Sequence, residues 1–507
     1  MYLNNFEAGI VVFLACLPLI AGCSDGSDGR EESLNEEPAE PQFLIIADPT
    51  ITSPPPIGKP LNFGIFDLAA QGYEEEEYFF SGTASAFTNL NELGSDGLWQ
   101  VEAGEEADYT TRVLVRRPME AASFNGTVLV EWLNVSAGFD GTPEWDNAHV
   151  EIVRDGYAWV GVTAQYVGVY GRENSVVPLN LKAINSERYE ALEHPGDSFS
   201  YDIFSQVAQA IRSPMEVDIL NGLGVERIIG SGYSQSAFRL VTYVNAIHPL
   251  YNPFDGYLIS SRGAYAERLA QEPQTLIETP SVGFIRPDLN VPILVLQSET
   301  DILRHTLNFV LAREPDTDRL RIWEVAGTSH SDRYSLGAGW RDIGDDPSAA
   351  AVAELDNIQG FIQCDTPVNS GPLHYVKGTA LNAMNVWIAE GVTPPTGEPL
   401  ATSDDLEAFL LDDLGNVRGG VRTPYVDAPV AILSGLGQGG ESFCGLFGTT
   451  ILFSAEQMAS LYIDKSGYVT AAREATEAAV NAGFLLAVDA EQIIAWAPKQ
   501  WDSQVSP

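Results

Sequence analysis

Buried-strand patterns alternate with helical patterns along most of this sequence, and that alternation restricts the fold more than any other feature. Continuous apolar runs, typical of strands covered on both faces, occur at 126–132, 157–163, 225–230, 257–260, 291–297 and 320–325. Helical patterns lie between several of them, at 144–155, 202–220 and 236–247. Two earlier β-rich segments, 78–84 and 109–117, predict further strands. The order predicts an α/β fold with a mostly parallel central sheet and helices on both faces.

Ligands bind parallel sheets at the carboxyl ends of the strands, so the loops after these runs are where functional residues are expected. The segment 231–236 reads Ser-Gly-Tyr-Ser-Gln-Ser and joins a predicted strand to a predicted helix. It is a Gly-x-Ser-x-Ser form of the nucleophile elbow, a strained turn that raises a serine hydroxyl above the sheet. Small residues at Gly232 and Ser236 let strand and helix approach. Ser234 is therefore the candidate nucleophile, and the backbone N–H of Gln235 a candidate oxyanion donor.

A serine hydroxyl needs a base to become a good nucleophile, so the hypothesis depends on a histidine. His330 follows the last predicted strand, in Gly-Thr-Ser-His, which is where the base of such a fold is expected. The other histidines are interpreted as packing or surface residues: His149, His194, His248, His305 and His374. A role in lining the site remains an alternative for His305.

The third member of the predicted triad is an acid that orients the histidine. Asp301 follows the preceding strand at the common position, and Glu299 is the alternative. The order Ser, Asp, His is that of α/β hydrolases. A second oxyanion donor is expected from the backbone near Val135, in the loop after the strand at 126–132. This chemistry requires no metal and no organic cofactor.

The N-terminus predicts export. An apolar run at 10–20, too short to span a membrane, ends in Leu-Ile-Ala-Gly-Cys, which resembles a bacterial lipobox. We expect a signal peptide at 1–22, lipidation of Cys23 and a flexible tether at 23–45. Plain secretion is the alternative, because no Lys or Arg precedes the apolar run. The mature protein is then a periplasmic or cell-surface lipoprotein that touches the membrane only through its lipid.

The charge balance excludes one class of partner. Asp and Glu number 70 against 27 Lys and Arg, a formal charge of -43, so the chain repels nucleic acid. The acidic run 74–77 is interpreted as a solvated loop. Cys364 and Cys444 are the cysteines left in the folded body, and an even pair in an oxidising compartment predicts a disulfide. No metal ligand set is evident from the spacing of His, Cys or acidic residues.

Several motifs together resemble a known bacterial family, "alpha/beta hydrolase domain", whose members are exported serine hydrolases with a Gly-Tyr-Ser-Gln-Ser elbow. The motifs are Leu133-Asn134-Val135-Ser136, Arg188-Tyr189, His194-Pro195-Gly196-Asp197, Tyr201 to Gln206, Gly232 to Ser236 and Arg422 to Asp427. The resemblance extends from about residue 45 to the C-terminus. It implies a serine hydrolase fold over 46–507 with Ser234 as nucleophile. Residues 166–195 are a candidate lid, and 350–507 form a C-terminal extension of unassigned role.

Taken together, these patterns predict hydrolysis of a small-molecule carboxylic ester by Ser234, His330 and Asp301 through an acyl-enzyme. A peptidase with the same triad remains open, since only the pocket separates ester from amide. A non-catalytic surface lipoprotein that uses the fold as a binding platform is the alternative from another class.

Overall fold

The computed structural model describes residues 43–505, apart from 62–65, 174, 176–177, 304, 359, 361 and 442. The predicted signal peptide, Cys23 and the tether up to residue 42 lie outside the described residues. From Phe43 onward the chain forms a single compact unit. Within the described ranges, no helix has the length and apolar character needed to cross a membrane.

Nine strands of the described chain form one sheet in the order β1-β2-β3-β5-β4-β6-β7-β8-β9. They are β1 (Thr50–Thr52), β2 (Tyr73–Asn89), β3 (Val101–Pro118), β4 (Thr127–Trp132), β5 (Ala158–Val162), β6 (Arg227–Tyr233), β7 (Gly256–Ser260), β8 (Ile293–Ser298) and β9 (Leu320–Val325). Pairing is antiparallel from β1 to β5 and parallel from β5 to β9. The parallel part contains the six apolar runs, as the sequence predicts. It is the part that brings their following loops to one edge.

Helices cover both faces of the sheet. Those before the last sheet strand are α1 (Pro143–Arg154), α2 (Tyr166–Tyr170), α3 (Leu181–Ile184), α4 (Ser200–Arg212), α5 (Gln235–Thr242), α6 (His248–Tyr251) and α7 (Glu299–Ile302). A π-helical turn, Tyr243–Ile247, continues α5 into α6. One face packs on α4 and α5, through side chains such as Val128 and Val130. The other face, which includes Leu129, packs on α1 and on helices of the C-terminal extension.

The extension is built from short strands and longer helices. These are β10 (Asn357–Ile358), β11 (Ile362–Gln363), α8 (Leu373–Glu390), α9 (Pro424–Asp427), β12 (Ala431–Ser434), β13 (Thr449–Leu452), α10 (Ala455–Tyr462), α11 (Lys465–Asn481) and α12 (Ala487–Val505). Its apolar residues share one buried cluster with the sheet, and Val421 forms a parallel bridge with Val325 at the end of β9. The extension is therefore part of the same hydrophobic core as strands β6, β8 and β9.

Two sequence interpretations need correction. The helix expected at 202–220 ends at Arg212, because Ser213 precedes a proline and that position disfavours helical backbone. The acidic run Glu74–Glu77 is no solvated loop; it lies in β2, where Glu74 and Glu75 are opposite Arg117 and Arg116 of β3. Glu75 accepts a hydrogen bond from Arg116 at 2.7 Å, and the side chain of Glu77 is buried.

The family-like pair Arg188-Tyr189 explains why Glu77 is buried. The Arg188 guanidinium lies 2.6 Å from Oε2 of Glu77, and the Tyr189 hydroxyl donates to Oε1 at 2.8 Å. Arg112 lies 3.6 Å from the same carboxylate. A buried carboxylate is tolerated when it is paired and hydrogen-bonded in this way. The candidate lid region, 166–195, is thus fastened at its end to β2, and its residues Leu181 and Leu192 pack in a small cluster with Phe79 of that strand.

Candidate active site

Ser234 occupies the turn between β6 and α5 in a backbone conformation that non-glycine residues rarely adopt. Its φ is 59° and its ψ is -121°. Such strain persists only where the surrounding structure enforces it. A Cβ at Gly232 would lie 3.0 Å from the backbone of Ser236, so the close approach of strand and helix leaves little room for a side chain there. The local structure is that of a nucleophile elbow.

Three side chains predicted from the sequence lie in one hydrogen-bonded row. Nε2 of His330 is 2.8 Å from Oγ of Ser234, and Nδ1 of the same ring is 2.7 Å from Oδ1 of Asp301. Asp301 is fully buried, His330 is nearly so, and Ser234 is half-buried. With Nδ1–H donated to the carboxylate, Nε2 is left as the acceptor that faces the serine hydroxyl.

The Asp301 carboxylate is fixed on its second oxygen. Oδ2 accepts the backbone N–H of Ser298 at 2.7 Å and the Ser298 hydroxyl at 2.8 Å. These bonds close the N-terminal turn of α7, so the end of β8 sets the carboxylate's position. The neighbouring Thr300 accepts the backbone N–H of His330 at 3.1 Å, which also joins the acid-bearing turn to the histidine loop.

Glu299, the alternative acid, points elsewhere. Its oxygens accept backbone N–H groups from Gly327 at 2.6 Å and from Gly435 at 2.8 Å. Burial raises the pKa of Glu299 to about 8, and the two amide hydrogen bonds oppose that rise. Asp301, and not Glu299, is therefore the carboxyl group in contact with the imidazole of His330. Glu299 instead connects the loop before His330 to the C-terminal extension.

Of the two candidate oxyanion donors, Gln235 directly follows Ser234 in the chain and Val135 lies in the loop after β4. Gln235 is the first residue of α5, where a backbone N–H has no partner within its own helix. Val135 follows Asn134, whose side-chain amide donates to the carbonyl of Tyr233 at 2.9 Å and so ties this loop to the elbow. Among the described residues, neither N–H takes part in a hydrogen bond. Both amides are thus free to bind an oxygen.

The remaining histidines lie in other settings. His149, His194, His248 and His374 are buried, and burial lowers the pKa of each. His305 is about half exposed and lies 3.8 Å from Glu407. None of these five is in hydrogen-bond contact with Ser234 or Asp301 within the described part of the chain. The packing and surface interpretation agrees with these positions.

The His-Pro-Gly-Asp motif has no role that follows from the sequence alone, and the structure supplies one. Asp197 accepts the backbone N–H of Tyr166 and the side-chain amide of Gln165, both at 2.8 Å, and pairs with Arg239 at 3.0 Å. Gln165 and Tyr166 follow β5, while Arg239 lies in α5 just after Ser234. Nε2 of His194 contacts the carbonyl of Ala164 at 2.9 Å. The motif therefore fastens the loop after β5 to the helix of the elbow.

Cys364 and Cys444 form a disulfide with sulfur atoms 2.02 Å apart, the pairing expected from the sequence. The bond lies close to the histidine loop: the backbone N–H of Ser331, next to His330, donates to the carbonyl of Leu446 at 3.2 Å. Asn369 is linked to the same segment through Phe447, at 2.9 Å. The crosslink thus holds the part of the extension that supports His330.

Across the described residues, no group of three or more His, Cys, Asp or Glu side chains is arranged to hold a metal ion.

The strand order, the elbow and the Ser-His-Asp row define an α/β hydrolase. Residues 46–495 match the family described as "Alpha/beta hydrolase domain", and the chain belongs to that family. No curated protein sequence matches the chain.

Solved structures similar to this chain include an α/β serine hydrolase without a lid from Xanthomonas campestris, with 14% identity, a TM-score of 0.26, and coverage of 49% of this chain and 86% of that one. A cold-adapted esterase from an Arctic intertidal metagenomic library has 11% identity, a TM-score of 0.27, and coverage of 49% and 84%. A carboxylesterase from Lactobacillus plantarum has 11% identity, a TM-score of 0.23, and coverage of 43% and 72%.

Proposed function

We propose that this protein hydrolyses carboxylic esters of small molecules through an acyl-enzyme. Oγ of Ser234 attacks the ester carbonyl carbon while Nε2 of His330 takes the hydroxyl proton. The carbonyl oxygen becomes an oxyanion held by the backbone N–H groups of Gln235 and Val135. The carbon–oxygen bond then breaks, and His330 returns the proton to the departing alcohol. Asp301 keeps the imidazole in the required tautomer and stabilises its charged form.

Water completes the cycle. His330 takes a proton from a water molecule while the water oxygen attacks the acyl carbon. It returns that proton to Oγ of Ser234 as the carboxylic acid product leaves. No other reactant is consumed. In both steps the base acts in its neutral form.

The observation that carries the proposal is the pair of contacts at His330, 2.8 Å to Ser234 and 2.7 Å to Asp301. These are hydrogen-bond distances of the kind that proton transfer needs. The strained backbone of Ser234 supports it further, because a serine used only for packing has no need of that conformation. A binding platform that no longer catalyses has no reason to keep the full row.

The test is to treat the mature wild-type protein and the Ser234→Ala variant with a fluorophosphonate probe at pH 8. Adducts are then detected by intact-protein mass spectrometry. We expect one adduct on the wild type and none on the variant, together with hydrolysis of p-nitrophenyl acetate by the wild type alone. A folded wild type that forms no adduct overturns the proposal in favour of a non-catalytic binding platform. A panel of acyl chain lengths, and matched amides, then separates esterase from peptidase activity.

We also propose that the protein is exported as a lipoprotein acylated at Cys23. The lipobox-like residues before Cys23 and the disulfide support this, since disulfides persist in oxidising compartments. Expression in a bacterial host with a labelled fatty acid tests the idea. We expect label on the wild type and none on Cys23→Ser. A mature N-terminus other than Cys23 contradicts lipidation.

A further inference from the structure

A buried lysine lies beneath the nucleophile and has no part in the triad. Lys377, in α8 of the C-terminal extension, is fully buried. Its ammonium group pairs with the carboxylate of Glu144 and donates a hydrogen bond to the hydroxyl of Ser260. It also lies 5.5 Å from the ring centroid of Tyr233, within the range of a cation–π interaction. Lysine is almost never fully buried unless it is paired, because removing its ammonium group from water costs free energy.

Lys377 contacts two residues of the sheet, Ser260 and Tyr233, and both are directly linked to Ser234. The carbonyl oxygen of Ser260, at the end of β7, accepts the backbone N–H of Ser234 at 2.9 Å. Tyr233 directly precedes Ser234, and its hydroxyl donates to the carbonyl of His330 at 2.5 Å. One ammonium group thus lies against the residue that holds the Ser234 backbone and against the ring that bonds to the base.

The positive charge of Lys377 is balanced by the carboxylate of a single residue, Glu144. Glu144, in the first turn of α1, is fully buried. Its neighbour Glu131 accepts the backbone N–H groups of Glu144 and Trp145, at 2.9 and 3.1 Å. Burial, with the nearby Glu144 carboxylate, raises the pKa of Glu131 well above its usual range. Lys377 and Glu144 then balance one another. Such a pair is weak evidence for stability by itself, because well-packed apolar side chains replace buried ion pairs at little cost.

We propose that Lys377 is a positioning residue for the nucleophile, which holds Ser260 and the Tyr233 ring so that Ser234 keeps its strained conformation at hydrogen-bond distance from His330. The proposal rests on the proposed hydrolase function and adds to it a group outside the triad. It assigns the extension a part in catalysis, through the residues that support Ser234, where the sequence left the extension without a role.

The experiment separates positioning from a general role in folding. Lys377→Met alone leaves the Glu144 carboxylate buried without its cation, so reduced stability is expected from that variant whatever its role. The double variant Lys377→Met/Glu144→Gln removes both charges and keeps both side-chain volumes. Ser260→Ala removes only the hydroxyl that Lys377 contacts and leaves the backbone carbonyl in place. For each protein we would measure the thermal midpoint, kcat and KM for p-nitrophenyl acetate, and the rate of fluorophosphonate labelling.

We expect the double variant to regain a midpoint close to that of the wild type while kcat and the labelling rate stay about 10- to 100-fold lower with KM little changed, since a small displacement of a reacting atom has effects of that size. Ser260→Ala should lower kcat in the same direction, and adding it to the double variant should have little further effect. A double variant that regains both midpoint and kcat overturns the proposal, as does a Ser260→Ala protein with wild-type kcat.

These measurements distinguish failure of the proposed function from failure of the positioning role of Lys377. A wild type that is no more reactive than Ser234→Ala overturns the proposed function and this inference with it. A reactive wild type whose double variant and Ser260→Ala protein are equally reactive overturns the positioning role of Lys377 alone. If Lys377→Met does not fold, the other two variants still decide the question.

Discussion

The carboxylate of Asp301 connects the end of β8 to His330. Its Oδ1 lies 2.7 Å from Nδ1 of His330, while its Oδ2 accepts two hydrogen bonds from Ser298. The carboxylate therefore has a single orientation in which it can hold the imidazole tautomer. We predict that Asp301→Asn lowers kcat by roughly 10³- to 10⁴-fold, because the amide favours the wrong tautomer. Steady-state kinetics on p-nitrophenyl acetate measure this. Asp404→Asn, at an exposed position, is the matched control. Activity of Asp301→Asn within tenfold of wild type contradicts the assigned role.

Glu299 gives a prediction about stability as a function of pH. Its pKa is raised by burial from an ordinary value near 4.5 to about 8. Between these values the folded protein keeps a proton that the unfolded chain has released, so this group's contribution is complete below about pH 4.5 and is lost as pH rises towards 8. We expect Glu299→Gln, which does not titrate, to lose less stability than wild type over that range. Between pH 4.5 and pH 8, the free energy of unfolding of the wild type should fall by roughly 4 kcal/mol more than that of Glu299→Gln.

Urea unfolding at pH 5 and pH 8 tests this, with the exposed Glu474→Gln as control. Other buried acids, such as Asp332 with its pKa raised by burial to about 6, titrate in both proteins and cancel from the comparison. Parallel curves for wild type and Glu299→Gln would show that the Glu299 pKa is not raised.

The ion pair of Asp197 with Arg239 is buried, and it predicts a large cost when broken. Asp197→Asn leaves the Arg239 guanidinium without its anion, which we expect to destabilise the fold by about 3 to 5 kcal/mol. It should also lower kcat/KM, because the loop at Gln165 and Tyr166 loses its attachment to α5. Denaturant unfolding and hydrogen exchange at residues 163–172 are the measurements.

The matched comparison is an exposed pair, Asp502 with Lys465, at 2.6 Å. Asp502→Asn should change stability by about 0 to 1 kcal/mol. Equal effects of the two substitutions would mean that burial does not set the value of the Asp197 pair.

The disulfide predicts a dependence on redox conditions. Closing a loop of 80 residues stabilises a fold by about 4 to 5 kcal/mol in the chain-entropy model. We expect the Cys364→Ser/Cys444→Ser variant to unfold at lower urea concentration, and the reductant dithiothreitol to shift the wild type to the same midpoint without affecting the variant. Activity should fall with it, since Leu446 accepts a hydrogen bond from Ser331 beside the base. A wild type whose midpoint does not change in reductant contradicts this.

The strands and the row of site residues could be predicted because each depends on local pattern. Continuous apolar runs mark the parallel strands, and β9 begins and ends where the pattern does, at Leu320 and Val325. The elbow and His330 follow from their places after strands. Asp301 could not be separated from Glu299, since both follow β8 and only the tertiary structure decides which one faces the ring.

Long-range pairing explains what the sequence did not predict. Arginines that pair with the run at 74–77 lie in another strand, so the run alone suggested solvent exposure. Lys377 contacts Ser260, which is 117 residues away in the chain, and no local pattern marks such a partner. Lys377 is the one lysine of α8, and that was the available signal. The helices α11 and α12 were missed because much of their surface is exposed and their polar and apolar residues alternate irregularly.

The support that Gly435 and Leu446 give to the loops around Glu299 and Ser331 has a consequence for how the protein is made. Synthesis proceeds from the N-terminus, so the serine, acid and base exist in a growing chain before the segment that fixes their geometry. A Cβ at Gly435 would lie 2.5 Å from the backbone nitrogen of Thr300. This late segment therefore packs so closely against the site that a side chain at position 435 would clash. We therefore expect the proposed hydrolytic competence to come late in biosynthesis, only after the segment that contains Gly435 and Leu446 has been made.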